Sequence, residues 1–482
     1  MLRKTIALFF LCALVALQPG AFVSAAAQAQ AKAPRLDYRE RTLANGLKVY
    51  SVRDASSPTV AIQVWYKVGS KDDPEGRSGF AHLFEHIMFK GTKNMKDEMM
   101  DRLTEDVGGF NNASTWDDFT NYYEVVPSNY LQTLLWAEAE RLSSLNVDDK
   151  NFKSERDVVK EEFRSRVLAP PYGRLFYTIE KNSFTAHPYR RPGIGSIENL
   201  DASTIDDVRA FHSTFYRPDN ATLVVVGDFE QKQLDAWVDK YFAPIPKPNT
   251  PLPRVTIKEP VRTAEKRFNE YAPNVPLPAV AITYLAPPVT SDDAYALRVA
   301  ESILSSGESS RLYQSLVYTQ QLAQEAFASA DLREDTGLFV FGAILASEKK
   351  TEDAERALLA ELKRMQDSPV TDAELSKAVN QLVTNQLRER ETNEGKSFAL
   401  GRAVVLLGDA ARVNTDIEKL QAVRATDVQR VMKKYFTDTN RVVITYQNES
   451  ARPAGGTTTG RRNDASGRDA EGARAAKGGE IR

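Results

Sequence analysis

Apolar and polar residues alternate with two different periods along the chain, and these periods predict a mixture of strands and helices. Apolar residues recur at every second position in Val60–Val68, which predicts a strand. Phe110–Thr115 and Phe119–Val126 are predicted to form a hairpin that turns at residues 116–118 and is stopped by Pro127. A spacing of three to four residues predicts helices over Lys96–Val107 and Asp148–Val167. The chain is therefore expected to form an α+β fold rather than an all-helical or all-strand one.

The strand pattern of the first half begins again in the second half. Val280–Leu285 resembles Val60–Val68, and Arg441–Tyr446 resembles Ala221–Gly227, at an offset of roughly 220 residues in both places. The repeated offset indicates an internal duplication and hence two homologous α/β domains. A proline-rich stretch separates them and is interpreted as a linker. The predicted ranges are 38–245 for the first domain, 246–262 for the linker and 263–447 for the second domain.

The two ends of the chain lack the domain pattern. A basic start precedes the apolar run Ile6–Leu17, which is too short to span a bilayer, and the small residues of Val23-Ser24-Ala25 follow it. We interpret residues 1–25 as a cleaved export signal, which predicts a periplasmic or secreted protein without a membrane anchor. Residues 448–482 are rich in Gly, Ala, Arg, Thr and Asp and are expected to be disordered.

Charge and cysteine content narrow the possible partners and ligands. The formal net charge is −2, which gives no reason to expect a nucleic-acid partner. The single cysteine, Cys12, lies inside the predicted export signal. The mature protein therefore has no thiolate, and histidine and carboxylate side chains must hold any transition metal.

The most informative motif is H-x-x-E-H, formed by His82, Glu85 and His86. On a helix, residues 82 and 86 lie one turn apart on the same face, so one ion can bind both imidazoles. Glu85 then lies beside them, free to act on a bound water. Ser78 is a candidate N-cap of this helix. From the motif alone, a pair of helix histidines that only pack against the core stays possible.

A catalytic zinc ion takes three protein ligands and keeps one position open. The helix predicted over Asp148–Val167 offers several carboxylates, among which Glu155 and Glu162 are seven residues apart and share one face. Composition does not choose among these carboxylates, and a charged helix of this kind is usually a solvated surface.

These motifs resemble the insulinase/pitrilysin metallopeptidases, or inverzincins, in particular the mitochondrial processing peptidase β-subunit and its bacterial relatives. The resemblance covers nearly the whole mature chain. In that family H-x-x-E-H is followed by a glutamate ligand in a segment resembling E-R-D-V-x-x-x-E, and here Glu162 ends such a segment, 76 residues after His86. The resemblance implies one zinc ion per chain, bound by His82, His86 and Glu162. It also implies that Glu85 is the general base and that Glu155 is a supporting carboxylate that orients the site.

The resemblance further implies the architecture and the substrate. Each domain is expected to be a mainly antiparallel sheet packed by helices, and the two domains together form one half of a clamshell. Residues 108–113 resemble the family's G-G-x-x-N-A stretch, whose strand borders the active cleft. Extended peptides are therefore expected to bind along this strand, at Phe110, Asn111, Asn112 and Ala113. The expected function is an exported zinc metalloendopeptidase that cleaves peptides or unfolded segments. The alternative is a catalytically silent peptide-binding or scaffolding member of the same fold.

One departure from the family pattern predicts a partner. Family members that complete their site within one pair of domains carry an arginine and a tyrosine, seven residues apart, in the C-terminal half. The corresponding positions here are Val317 and Gln324, which do not provide the expected hydrogen bonds. The departure predicts a heterodimer with a paralogous subunit that lacks zinc ligands and supplies this pair, with a homodimer as the second possibility.

Overall fold

The computed structural model describes residues 34–453, so the predicted export signal and residues 454–482 of the predicted tail lie outside the described residues. Within this part of the chain, strands form two separate sheets. The strands are β1 Arg39–Thr42, β2 Lys48–Arg53, β3 Thr59–Tyr66, β4 Phe110–Thr115, β5 Thr120–Pro127, β6 Ala221–Gly227, β7 Lys266–Ala272, β8 Ala279–Ala286, β9 Ala323–Asp331, β10 Gly337–Leu345 and β11 Arg441–Asn448.

Helices cover both sheets and connect their strands. The helices are α1 Phe80–Ile87, α2 Met99–Glu105, α3 Leu131–Ser144, α4 Asp149–Phe163, α5 Gly173–Ser183, α6 Ile197–Asp201, α7 Ile205–Phe215, α8 Gln231–Tyr241, α9 Asp293–Ser305, α10 Thr351–Asp367, α11 Asp372–Glu389, α12 Asn393–Val405, α13 Arg412–Gln421 and α14 Ala425–Tyr435. None of the helices in residues 34–453 combines the length and the apolar character needed to cross a membrane.

The two sheets share one topology. The first has the order β1-β2-β6-β3-β5-β4 and the second has the order β7-β11-β8-β10-β9. In each sheet a single parallel pair, β2 with β6 or β7 with β11, is followed by antiparallel pairs. The corresponding strands Thr59–Tyr66 and Ala279–Ala286 start 220 residues apart. The predicted α+β class with two homologous, mainly antiparallel sheets is therefore confirmed.

Strand burial follows from position within the sheet. All seven residues of β6, ATLVVVG, are buried because this central strand is covered on both faces. The outermost strand β4, FNNAST, is polar and only partly buried, and no strand of residues 34–453 pairs with its outer edge. An open strand edge offers backbone donors and acceptors to an added peptide.

Each half of the chain contributes one helix to the sheet of the other half. Helix α12 packs on β3 and β6, where Leu400 and Val404 join one apolar cluster with Trp65 and Val224. Helix α5 reaches the second sheet, where Leu175 joins a cluster with strand residues from β8, β10 and β11. Contacts therefore cross the predicted linker in both directions, and the domain boundaries drawn from the sequence stay a prediction.

The ordered chain continues past the predicted start of the disordered tail. Asn448 is the last residue of β11, and its side chain accepts a hydrogen bond from the Ser450 backbone N–H at 3.0 Å. The Asn448 side chain also donates to the Val275 carbonyl at 3.2 Å, and Arg452 lies over the Tyr271 ring. The boundary predicted at residue 448 was therefore placed a few residues too early.

Candidate metal centre

The H-x-x-E-H motif lies on α1, a short helix with one apolar face. Phe80, Leu83, Phe84 and Ile87 are buried in the core of the first half. His82, Glu85 and His86 occupy the opposite face and are partly accessible. Because the helix repeats every 3.6 residues, its apolar residues all face the core, and His82, Glu85 and His86 all face the cleft.

The start of α1 differs from the prediction that Ser78 is its N-cap. Gly79 is the N-cap, with a φ of 92° that favours glycine. The Asp73 carboxylate accepts hydrogen bonds from the backbone N–H groups of Gly79 at 2.7 Å and Ala81 at 2.8 Å. The Ser78 hydroxyl instead donates to Asn199 Oδ1 at 3.2 Å. Asp73, six residues before the N-cap, therefore caps α1 in place of an N-cap side chain, and its negative charge stabilises the amino end of the helix.

Helix α4 brings the third candidate ligand to α1. Asp148 caps α4 by accepting the Asn151 backbone N–H, and the apolar Phe152, Val159 and Phe163 face the core. Glu162 Oε2 lies 3.5 Å from His82 Nε2 and 3.3 Å from His86 Nε2. Among the described residues, these three are the group of histidine and acidic side chains that meets the spacing of a metal site.

The Glu162 oxygen lies at the separation from both histidine nitrogens that a tetrahedral zinc ion requires. Bonds of about 2.0–2.1 Å in tetrahedral geometry place two ligand atoms about 3.3 Å apart. The two nitrogen–oxygen distances to Glu162, 3.3 and 3.5 Å, agree with this value and exceed the usual 2.7–3.2 Å of an N–H···O hydrogen bond. Two imidazoles and one carboxylate are also a common set of zinc ligands. The residues present therefore fit a zinc ion.

Charged neighbours orient the ligands. Glu155 Oε2 lies 3.6 Å from His86 Nδ1, while Lys90 Nζ contacts Glu155 Oε1 at 3.0 Å. Glu155 thus lies next to the ring nitrogen that faces away from Glu162, which is the place of the supporting carboxylate expected from the sequence. Arg166 Nη1 contacts the second oxygen of Glu162 at 2.7 Å and leaves Oε2 directed at the histidines.

The protonation equilibria of the two histidines are shifted in opposite directions. Burial, with the nearby charge of His86, lowers the pKa of His82 to about 4. For His86, burial alone would lower the pKa, but the neighbouring Glu155 and Glu162 carboxylates outweigh it and raise the pKa to about 9. The acidic side chains thus favour a cation at this position, and a metal ion competes with the proton for the same imidazole nitrogen.

Glu85 is held close to the metal ligands but is not one of them. Its Oε2 atom accepts a hydrogen bond from the Thr115 hydroxyl at the end of β4. Burial raises the pKa of the Glu85 carboxyl, and the Thr115 hydrogen bond opposes this rise. A carboxylate with a raised pKa accepts a proton more readily at neutral pH, which suits a general base.

The ligands, Glu85 and strand β4 line one cleft of about 610 Å³. Of the predicted substrate-binding residues, Asn112 and Ala113 line this cleft. The Ala113 backbone N–H is bonded to Asn112 Oδ1 at 2.8 Å. The Asn111 side chain instead donates to Asp101 Oδ1 at 3.1 Å and Thr104 Oγ1 at 2.7 Å. Phe110, the first residue of β4, is 43% exposed and lies outside the cleft lining, and its role in substrate binding stays a prediction.

The other two histidines lie outside the cleft. His187 is fully buried, and its Nδ1 atom accepts the Tyr189 backbone N–H at 3.2 Å. His212 stacks on Phe84 behind the metal helix, with the ring centroids 5.3 Å apart. A core hydrogen bond therefore accounts for His187, and packing against an aromatic ring accounts for His212.

Three residues that line the cleft, Lys90, Thr115 and Arg166, were not predicted from the sequence. Lys90 and Arg166 each lie four residues after a ligand, His86 and Glu162, so helical spacing could have identified them. Thr115 contacts Glu85 because tertiary packing places β4 beside α1. The spacing of the two residues in the sequence does not predict this contact.

The H-x-x-E-H motif is the signature of the inverzincin class, and here it lies on a helix beside Glu162 and the edge strand β4. Residues 48–194 match the family described as Insulinase (Peptidase family M16), and residues 203–382 match the Peptidase M16 inactive domain. The chain belongs to the insulinase family of peptidases, as the resemblance of its motifs implied.

Relatives of known name agree with this assignment. The zinc protease PqqE of Helicobacter pylori is 32% identical over 427 residues, which cover 88% of this chain and 95% of that protein. A probable mitochondrial-processing peptidase subunit beta of Arabidopsis thaliana is 25% identical, over 83% of this chain and 76% of that protein. The crystal structure of a protease from Helicobacter pylori has a TM-score of 0.82 at 30% identity, covering 86% of this chain and all of that one.

Proposed function

We propose that this chain is a zinc metalloendopeptidase that hydrolyses peptide bonds in peptides or unfolded segments. The observation that supports it most directly is the approach of His82 Nε2 and His86 Nε2 to one oxygen of Glu162, at 3.5 and 3.3 Å, next to Glu85. When bound, zinc supplies a Lewis acid for the scissile carbonyl and lowers the pKa of water.

The side chains of the cleft account for the proton transfers. Glu85 takes the proton of the attacking water on its carboxylate and passes it to the leaving amine. Thr115 holds the Glu85 carboxylate in position through its hydroxyl. The free edge of β4 pairs with an extended peptide backbone, so that Asn112 and Ala113 lie beside the bond to be cleaved.

The test is Glu85→Gln, which keeps the size of the side chain but removes the base. We expect zinc content equal to that of the wild type and a loss of peptide cleavage of about 10²–10⁴-fold. Metal analysis and a quenched-fluorescence peptide assay measure the two properties separately. Glu161→Gln is the matched control, because Glu161 pairs with Arg164 on the surface of α4.

Two results would oppose the proposal. Cleavage by Glu85→Gln at the wild-type rate would exclude Glu85 as the base. A wild-type protein that binds zinc and peptide but does not cleave, alone or with a partner, would favour the catalytically silent peptide-binding alternative.

We also propose that the active form is a heterodimer. Val317 and Gln324 occupy the positions where an arginine and a tyrosine are expected from the family pattern. A paralogous subunit without zinc ligands would supply that pair, and a homodimer is the second possibility. Purification from the native host, with activity measured before and after separation of any copurifying subunit, tests this. Full activity of the isolated monomer would contradict it.

Export to the periplasm or the medium is proposed from the basic, apolar and small-residue pattern of residues 1–25. Cell fractionation and amino-terminal sequencing are the corresponding measurements. We expect a chain that begins near Ala26 in the exported fraction. An uncleaved chain confined to the cytoplasm would contradict this proposal.

A further inference from the structure

Four helices of the second half enclose a cavity that is separate from the metal cleft. Residues of α9, α11, α12 and α13 line a space of about 260 Å³. A smaller space of about 90 Å³ adjoins it and shares Arg298, Arg402, Arg412 and Asp416 in its lining. None of the metal-site residues contributes to either space.

The lining of the larger space is strongly basic. It contains four arginines and two acidic residues, so its formal charge is two positive. The six residues are Arg298, Arg390, Arg402, Arg412, Glu389 and Asp416.

One arginine and one acid neutralise each other. Arg412 Nε contacts Asp416 Oδ1 at 3.1 Å, and the Tyr295 hydroxyl donates to the same oxygen at 2.6 Å. Arg412 Nη2 also donates to the Tyr295 hydroxyl oxygen at 2.6 Å. Arg412 and Asp416 thus form an ion pair, and together they contribute no net charge.

The other three arginines have no such partner. Among residues 34–453, no carboxylate lies within salt-bridge distance of Arg298, Arg390 or Arg402, and their guanidinium groups make no hydrogen bond to protein. Burial lowers the pKa of Arg402, and repulsion by the Arg298 charge adds to this shift. Glu389 lies near the three charges and balances one of them at most. Glu301, which follows Arg298 on α9, is outside the lining.

An unpartnered amide belongs to the same lining. Gln386, one turn before Arg390, has a buried side-chain oxygen without a hydrogen-bond partner in the described part of the chain. Buried amides in folded proteins nearly always have partners. Because the Gln386 amide lacks a hydrogen-bond partner in the described part of the chain, its orientation is not fixed. Its NH₂ group can then donate to an acceptor in the cavity.

We propose that this cavity binds a phosphate group, either as inorganic phosphate or as part of a small phosphorylated molecule. Guanidinium groups match the planar, paired acceptors of a phosphate, and a dianion balances the two excess positive charges. The volume accommodates a phosphate with a small substituent, and Phe398 on one wall offers an apolar contact for it. This inference does not depend on the proposed peptidase activity.

The test is the thermal stability and calorimetric binding of the full-length chain with inorganic phosphate at constant ionic strength set with sodium chloride. We expect a saturable rise in Tm with phosphate, because a ligand that binds only the folded state stabilises it. Arg402→Gln and Arg390→Gln should each weaken phosphate binding about tenfold or more, since each removes a charge-assisted contact.

Arg356→Gln is the matched control, because it removes the same charge from an exposed side chain that pairs with Asp353 on α10. We expect it to bind phosphate like the wild type. In phosphate-free buffer, Arg402→Gln should be at least as stable as the wild type, because the change removes a repelled charge. That measurement also shows that the variant is folded, and Arg298→Gln gives an independent second test.

A second ligand distinguishes the two sources of phosphate. Tighter binding of phenyl phosphate than of inorganic phosphate would indicate a phosphorylated molecule, and the reverse order would indicate the free ion. The proposal is overturned if phosphate changes Tm no more than sodium chloride does. It is also overturned if the three arginine variants respond to phosphate as the wild type does.

Discussion

At the scale of single residues, Thr115 matters through its contact with the proposed base, Glu85. Its hydroxyl is the hydrogen-bond donor to the Glu85 carboxylate, and the Thr120 hydroxyl lies 3.5 Å behind it. Thr115 contacts the proposed base rather than the metal ligands. Its effect should therefore appear in the rate of the chemical step and not in metal affinity.

We predict that Thr115→Val lowers kcat roughly ten- to a hundredfold, as expected for the loss of one hydrogen bond to a charged group. KM and zinc content should stay near their wild-type values. Steady-state kinetics with a fluorogenic peptide and metal analysis check this. Thr115→Ser keeps the hydroxyl and should retain most of the activity; equal losses in the two variants would mean that the hydrogen bond is unimportant.

The sequence identified the candidate ligands, which the structure brings together, more readily than the residues around them. His82 and His86 were identifiable because helical spacing alone places them together. Glu162 required the family resemblance, because four carboxylates within eight residues of α4 satisfy the same physical criteria. Thr115 and Asp73 were not identifiable, since tertiary packing and not sequence spacing brings them to α1.

At the scale of elements, the clearest difference between sequence and structure is the position of α12. The sequence of this segment does not indicate which sheet a helix here would cover. In the structure it packs on the first sheet, with the Phe398 ring centroid 5.2 Å from that of Trp65. Gln63 in the middle of β3 donates to Ser397 Oγ at 2.8 Å. Gln63 is the polar residue of an otherwise apolar stretch of β3, and the hydroxyl of Ser397 satisfies its buried amide.

Gly401 allows this close approach of α12 to β3. A Cβ atom at position 401 would lie 2.3 Å from the Trp65 ring. Gly401→Ala would gain up to about 1 kcal/mol in helix propensity. Overpacking of this severity costs about 1–3 kcal/mol, so we predict a net loss of stability in urea denaturation. In a Trp65→Leu background the same change should cost much less; an equal cost in both backgrounds would show that the contact is not the cause.

The ion pair between Lys396 on α12 and Asp54 after β2 makes this contact pH-dependent. The hydrogen bond from Lys396 lowers the pKa of Asp54 from 3.8 to about 2. Because this pKa is depressed in the folded state, the stabilisation is complete above about pH 4 and is lost as the pH falls towards 2.

We predict that Lys396→Met lowers the free energy of unfolding by about 1 kcal/mol at pH 7 and by progressively less as the pH falls from 4 towards 2. Urea denaturation across this pH range measures the difference. Lys363→Met on α10, which breaks an exposed pair with Asp367, is the control and should have little effect at any pH. A Lys396→Met effect that does not change with pH would mean that packing, not charge, is responsible.

At the scale of the whole molecule, buried charged side chains join the halves in addition to the exchanged helices α5 and α12. Arg333, which follows β9, is buried and contacts Asp117 at 3.2 Å and Glu180 at 2.7 Å. Lys71 is also buried and contacts Asp118 at 2.9 Å and Glu334 at 2.7 Å. These pairs connect the turn after β9 to the β4–β5 hairpin. The strand edge in the metal cleft is therefore supported by the second half of the chain.

This arrangement predicts that cutting the linker does not separate the halves. Thr256 and Ile257 lie in an exposed segment without helix or strand, so a protease site inserted between them would be accessible. After cleavage, α5 and α12 still cover the opposite sheets, and we expect the two fragments to coelute in gel filtration and to unfold in one transition. An insertion with a scrambled recognition sequence, treated with the same protease, controls for the insertion itself. Two fragments that separate without denaturant, or two resolved unfolding transitions, would show that each half is stable alone and that the exchanged helices contribute little to holding them together.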